Sequence, residues 1–261
     1  MSIENKFQER FELKDSVELR IKRQNPKEDP HLETFSVRAS ESTTILEALL
    51  FLHETECPSL QIRYSCRMAI CGSCGMLING LPRLACNTRI LGLKSKKVTI
   101  EPLPNFPVVR DLVTQMSGLF DKHKKVKPFL IRKDTVEQEN PQKEFHQSES
   151  ELDSFAQFTH CVTCGLCVAA CPTASTDVLF IGPQALGQAY RYNADSRDEG
   201  SKERKDILDS EHGIWRCHFA GSCTYVCPKG VDPALAIQLM RGQMIKDSFK
   251  FNRKKREIEA K

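Results

Sequence analysis

At 261 residues, with 40% hydrophobic content and 38 basic against 34 acidic side chains, the chain has the composition of a soluble protein of about two domains. Its net charge of +4 is spread over interspersed acids and bases, so no basic stripe argues for nucleic acid. The longest apolar stretch, residues 45–52, is interrupted by Glu47 and falls far short of the ~18–20 residues a membrane-spanning helix needs; the opening MSIENKFQERFELKD lacks the basic-then-apolar order of a secretory signal.

In chain order, Val17, Leu19 and Ile21 alternate with polar neighbours over residues 16–23, and Leu32, Phe35 and Val37 mark a second half-buried strand over 32–37, with QNPKEDPH as the turn between them. Thr43 or Thr44 caps a helix through Leu52, with Glu47 placed for a capping box and Ile45, Leu46, Leu49 and Leu50 at helical spacing. Short strands are predicted at 76–78, 84–85 and 97–100, broken by Asn79-Gly80 and by Gly92. The segment EPLPNFP carries three prolines in seven residues, which ends regular structure and sets the domain boundary, giving a first domain over 1–105 and a second over 106–261. The second reads as all-helical, with helices at 112–120, 183–192, 202–208 and 233–245 and a long polar loop over 132–150. The fold class is α+β. The basic tail, 250–261, reads as a solvated terminus or as a contact with anionic lipid.

Twelve cysteines in this length are fewer than a disulfide scaffold carries, and their spacings of two and three residues are those of metal ligation. Eleven of them form three groups. Cys66-x4-Cys71-x2-Cys74, followed by Cys86, has the plant-type 2Fe-2S spacing, with Gly72 and Gly75 permitting the tight backbone such a loop needs. Zinc also binds four thiolates, but the asymmetric spacing speaks against it. Arg67, inside the loop, either offsets cluster charge or is solvated.

Cys161-x2-Cys164-x2-Cys167-x3-Cys171-Pro172 is the bacterial ferredoxin run, whose fourth cysteine serves the other cluster of a two-cluster fold. Cys217-x2-Ala220-x2-Cys223-x3-Cys227-Pro228 repeats it with one cysteine replaced. The same cross-over assigns Cys161, Cys164, Cys167 and Cys227 to a 4Fe-4S cluster and Cys171, Cys217 and Cys223 to a second site. Three thiolates with alanine at the fourth place suit a 3Fe-4S cluster; the alternative is a fourth iron held by water or another group. Pro172 and Pro228 are expected to start helices, and Cys57 to be a small buried hydrophobe.

The segments YSCRMAICGSCGMLINGLPRLAC (64–86), CVTCGLCVAACPT (161–173), FIGPQALGQAYRYNADSRDEG (180–200) and CHFAGSCTYVCPKGVDPALAI (217–237) resemble the iron-sulfur subunit of succinate dehydrogenase and quinol:fumarate reductase over nearly the whole chain. The resemblance implies a β-grasp 2Fe-2S domain followed by a helical two-cluster domain. It further implies a flavoprotein partner carrying covalent FAD, a membrane anchor that holds the chain at the cytoplasmic face of the cell membrane, and electron flow from FAD through 2Fe-2S, 4Fe-4S and 3Fe-4S to quinone. The interconversion of succinate and fumarate then occurs on the partner's flavin, and this chain is a relay without catalytic residues of its own. In the family the quinone sits beside the 3Fe-4S cluster, which points to Pro172 and His218 as quinone neighbours, while Thr176 stands where many members have a quinone-binding tryptophan. A freestanding ferredoxin carrier, a subunit of another flavin-linked reductase and a zinc protein are the competing classes; the linker and the helical segments beyond the cysteine runs weigh against the first, and Ala220 against the second.

Overall fold

The computed structural model describes residues 15–25 and 28–259, with side chains placed as far as residue 249. The readings of the opening stretch, of Pro26 and Lys27 in the first turn, and of the tail side chains lie outside the described residues. The chain divides into two compact units. The first takes in the described residues up to Gly118 together with Val162–Ala170; the second comprises Leu119–Cys161 and the described residues from Cys171 on.

In the first unit the predicted strands form because alternate residues have a common buried side. Strands β1 (Asp15–Arg23) and β2 (His31–Ala39) pair antiparallel with Val17 opposite Val37 and Leu19 opposite Phe35. The sheet continues through β3 (Gly75–Ile78), β4 (Leu81–Leu84) and β5 (Lys97–Glu101) in the order β2-β1-β5-β3-β4, with β1 and β5 parallel. Helix α1 (Ile45–Thr55) starts on the expected capping box: Thr44 Oγ1 accepts from the Glu47 amide at 3.2 Å, and Glu47 Oε2 accepts from the Thr44 amide at 2.8 Å. Its buried Ile45, Leu46, Leu49 and Leu52 and the strands' Leu19, Ile21, Met76, Ile78, Val98 and Ile100 make up a core in which each side chain contributes roughly 1.5–3 kcal/mol. Cys57 is buried, as expected.

Asn79 and Gly80, both at positive φ (48° and 76°), turn β3 into β4. The strand expected at 84–85 is instead the end of β4, which yields at Ala85–Asn87 to a 3-10 turn that presents Cys86. Pro82 is tolerated because β4 is the sheet's edge. The helix expected at 112–120 is a hairpin, β6 (Val108–Arg110) and β7 (Val113–Thr114), before helix α2 (Ser117–Lys125), so the stretch after residue 105 is not wholly helical. Long-range contacts override the local pattern there: the buried Asp111 carboxylate accepts from Arg23 Nε and from the amides of Gln24 and Gln61 at 2.9–3.1 Å.

No strand occurs among the described residues of the second unit. Its helices are α2 from Leu119 on, α3 (Thr135–Glu139), α4 (Glu149–Asp153), α5 (Ala156–Thr159), α7 (Pro172–Thr176), α8 (Pro183–Asn193), α9 (Ser201–Leu208), α10 (Ser222–Tyr225) and α11 (Pro233–Glu259), whereas α6 (Leu166–Ala169) belongs to the first unit. The segment expected as a loop over 132–150 contains α3 and the start of α4, which Ser148 and Glu151 cap reciprocally. Helices α8 and α11 pack together over Leu186, Ala189, Ile237 and Met240, with the Phe158 and Tyr190 rings edge-on at 4.9 Å. Arg204, fully buried, pairs with Asp198 at 2.7 Å and donates to the carbonyls of Val126, Lys127 and Phe129. Among the described residues no helix is long and apolar enough to cross a membrane.

Candidate iron-sulfur sites

Between α1 and β3 the chain runs without regular structure, and its backbone turns left-handed at Arg67 and Ala69 (both φ 59°) and at Gly72 (74°). Repeated reversal aims successive amides inward. Cys66 Sγ accepts from the amides of Met68, Ile70 and Cys71 at 3.2–3.4 Å, and Cys71 Sγ from those of Cys66 and Ser73 at 3.4 and 3.5 Å. Cys86 Sγ accepts from Ala69 at 3.2 Å and Cys74 Sγ from Cys86 at 3.4 Å. Amide donors crowded around four sulfurs favour thiolate over thiol, which is the form iron binds. The hydrogen bonds of Ser73, with those of Cys66, pull the Cys71 thiol down to about 6, while burial pushes Cys74 up to about 12. These four residues fit a 2Fe-2S cluster. Arg67 is exposed and lies over the Tyr64 ring at 5.1 Å.

The loop is backed by the segment that carries Cys164 and Cys167. A side chain at Gly72 would come within 2.6 Å of Cys164 Cβ, so the two backbones touch, and only glycine satisfies both this approach and the left-handed φ. Leu166 approaches Gly75, and Asn105 Nδ2 donates to the carbonyls of Val168 and Ala169 at 2.9 and 3.2 Å, closing the end of α6.

In the second unit, Cys171, Cys217 and Cys223 come together. Burial pushes the Cys223 thiol up to about 11, and the neighbouring sulfurs of Cys171 and Cys217 push it the same way. Two clamps fix this group. The Asp177 carboxylate takes His212 Nδ1 at 2.8 Å and Arg216 Nε at 3.1 Å, tying the end of α7 to the residues before Cys217, and these contacts, His212 foremost, hold Asp177 down at about 2. The Arg241 guanidinium donates to the carbonyls of Ile214, Trp215 and Cys217 at 2.6–3.2 Å. Ala220 is exposed and brings no ligating atom to the group. Pro172 stands first in α7 as expected, and Thr176 turns its hydroxyl back to the carbonyls of Pro172 and Thr173. Pro228 does not begin a helix: the chain turns through Gly230 (φ 67°), and α11 starts at Pro233, where Asp232 Oδ1 accepts from the Leu235 amide at 2.9 Å. Pro172 and His218, both exposed, follow directly on two of the three clustered thiols.

Asp177 and Arg241 escape a reading of the sequence because their partners are distant in the chain or are backbone carbonyls, which leave no pattern. Among the described residues, no three His, Cys, Asp or Glu side chains gather closely enough to hold a single metal ion.

A fold with a thiolate-and-amide loop in one unit and a clamped trio of thiols in the other defines an iron-sulfur electron-transfer protein. Two family models agree, a 2Fe-2S iron-sulfur cluster binding domain over residues 18–121 and a 4Fe-4S dicluster domain over 157–231. The fumarate reductase iron-sulfur subunit of Haemophilus influenzae is 41% identical over 241 residues, spanning 88% of this chain and 94% of that one. The succinate dehydrogenase iron-sulfur subunit of Coxiella burnetii is 39% identical over 233 residues, spanning 87% and 97%. Among solved structures, a chain of the Mycobacterium smegmatis Sdh1 complex in the apo form matches with a TM-score of 0.79 at 26% identity, over 90% of this chain and 97% of that one. The chain belongs to the family of succinate dehydrogenase and fumarate reductase iron-sulfur subunits, and it transfers electrons.

Proposed function

We propose that the chain relays single electrons between the FAD of a flavoprotein subunit and a membrane quinone. Cys66, Cys71, Cys74 and Cys86 would hold a 2Fe-2S cluster; Cys161, Cys164, Cys167 and Cys227 a 4Fe-4S cluster; Cys171, Cys217 and Cys223 a 3Fe-4S cluster. Bound there, the clusters supply one-electron oxidation and reduction, and the succinate–fumarate chemistry stays with the flavoprotein. The observation that carries this reading is the contact of Gly72 with Cys164: the loop of the first cysteine group lies against a ligand of the second with no side chain between. Around each group the protein's part is to hold thiolates in place, donate amides that offset cluster charge, and keep water from the buried sulfurs of Cys74, Cys167 and Cys223.

The sheet order, with α1 between β2 and β3, supports a β-grasp description of the first unit. Exposed Tyr64, Met68 and Ile70 beside the first loop offer an apolar approach for the flavoprotein. Pro172 and His218 are the proposed quinone neighbours, and exposed Phe219 and Tyr225 beside the third run suit a membrane anchor that would hold the chain peripherally at the cytoplasmic face of the membrane.

The test is purification of the native complex followed by assay of succinate-dependent quinone reduction. Cys161→Ser should abolish that activity while flavin content is retained; an unchanged rate would overturn the relay. Electron paramagnetic resonance of the oxidised complex should show a 3Fe signal, and its absence would remove the third assignment.

A further inference from the structure

We propose that Gln184 is a positioning residue for the cluster that Cys161 holds, its side-chain amide raising that cluster's reduction potential through a hydrogen bond to the Cys161 sulfur.

Gln184 is the second residue of α8 and is 2% exposed, in a helix that also buries Ala185, Leu186, Ala189 and Tyr190. Its Nε2 lies 3.9 Å from Cys161 Sγ and 3.2 Å from His123 Nδ1. An amide nitrogen carries two hydrogens and no lone pair to accept with, so in this orientation both neighbours accept: the Cys161 sulfur, and Nδ1 of an imidazole whose proton sits on Nε2. Burial lowers the His123 pKa, in keeping with that neutral ring. The amide oxygen, by contrast, is buried and has no hydrogen-bond partner among the described residues.

That asymmetry is informative. Buried polar atoms are nearly always satisfied, and a glutamine whose oxygen is orphaned in a core would be better replaced by an apolar side chain of its own shape unless its nitrogen does something an apolar group cannot. The nitrogen end reaches a cluster ligand. Turning the amide over would set its oxygen against the ligating sulfur, acceptor against acceptor, so the nitrogen-inward orientation is the one that serves a metal-bound Cys161. A donor to a ligating sulfur stabilises the more negative, reduced cluster and thereby raises its potential. The backbone contributes most such donors around the first group; here a side chain from a different helix contributes one.

This inference rests on the assignment of Cys161 to the 4Fe-4S cluster. The experiment is a redox titration of the purified complex, followed by electron paramagnetic resonance of the 2Fe-2S and reduced 4Fe-4S signals separately. Gln184→Met keeps the length of the side chain and removes the amide. It should lower the 4Fe-4S midpoint potential and leave the 2Fe-2S potential in place, and in deuterated buffer pulsed resonance should lose one exchangeable-proton coupling to the 4Fe-4S cluster. His123→Ala, at a partly exposed position, frees the amide without removing it and should lower the same potential by less. An unmoved 4Fe-4S potential in Gln184→Met would overturn the proposal; should that variant assemble poorly, an unmoved potential in His123→Ala would overturn it equally. If Cys161→Ser keeps an intact 4Fe-4S signal, the ligand assignment itself falls and the role of Gln184 with it, an outcome distinct from loss of the signal in Cys161→Ser with no shift in Gln184→Met.

Discussion

From Cys161 and from Cys217 the chain follows the same path. The residue two places on is left-handed in each case, Thr163 at φ 53° and Phe219 at 56°, and so is the glycine four places on, Gly165 at 79° and Gly221 at 71°. A four-residue helix then begins at the fifth place, Leu166–Ala169 or Ser222–Tyr225, ahead of a Cys-Pro pair. Between these matching turns one run has Cys164 and the other Ala220. Glycine and left-handed turns therefore set the backbone path, and the number of thiolates is encoded separately, by a single side chain that the path does not depend on. The surroundings differ as well: Gly165 is overlaid by Met116 and Phe106, whereas nothing lies within 4 Å of where a side chain at Gly221 would start.

Exchanging the side chains at the third place tests that separation most severely. Cys164→Ala should make the first run resemble the second, converting the 4Fe-4S centre to a 3Fe form seen by electron paramagnetic resonance and cutting quinone reduction by at least about tenfold, since even outer partners of a metal site are worth 10–100-fold. The reverse change, Ala220→Cys, should move the third centre toward 4Fe-4S, lower its potential and slow delivery to quinone; an unchanged 3Fe signal would show that the backbone, rather than ligand supply, dictates the cluster.

Next in size is the pair of glycines. Gly165→Ala meets both an unfavourable left-handed φ and the Met116 side chain at 2.9 Å, for a loss of about 2–4 kcal/mol, while Gly221→Ala meets the φ alone, for roughly 1–2 kcal/mol. Denaturant unfolding of the two variants should rank them in that order. The smallest effect concerns Asp177, which clamps the second run but has no counterpart position in the first. Because its carboxyl is held at about 2 against an ordinary 3.8, its contribution is complete above pH 3.8 and is lost as pH falls through 2. The fluorescence of Trp215, the sole tryptophan, should therefore report a wild-type unfolding transition that weakens across that acid window, and Asp177→Asn should be less stable at neutral pH and lack this part of the acid sensitivity.

Much of this was legible in the sequence because it is local. The cysteine spacings, the Asn79-Gly80 turn and the Thr44–Glu47 capping box all lie within a few residues and specify their own geometry. What escaped depends on distance along the chain. The hairpin at 108–114 exists because Asp111 meets Arg23, 88 residues earlier, and the roles of Arg204 and Gln184 likewise need partners more than twenty residues away. Pro228 misled for a subtler reason. Its dipeptide is that of Cys171-Pro172, yet Gly230 turns the chain left-handed and Asp232 caps the helix, which starts five residues later than the proline suggests. The cap at Ser148 was written in the sequence as Ser-x-x-Glu and was obscured by the polar composition around it.

The nine residues of Val162–Ala170 are made more than forty positions after the rest of the first unit, yet Gly72, Gly75, Asn105, Phe106 and Met116 all pack or bond against them. During synthesis the sheet and α1 can therefore close early, while the back of the cysteine loop waits uncovered until the ribosome has released residue 170. A chain cut after residue 118 would keep every thiol of the first group and lose the wall behind it.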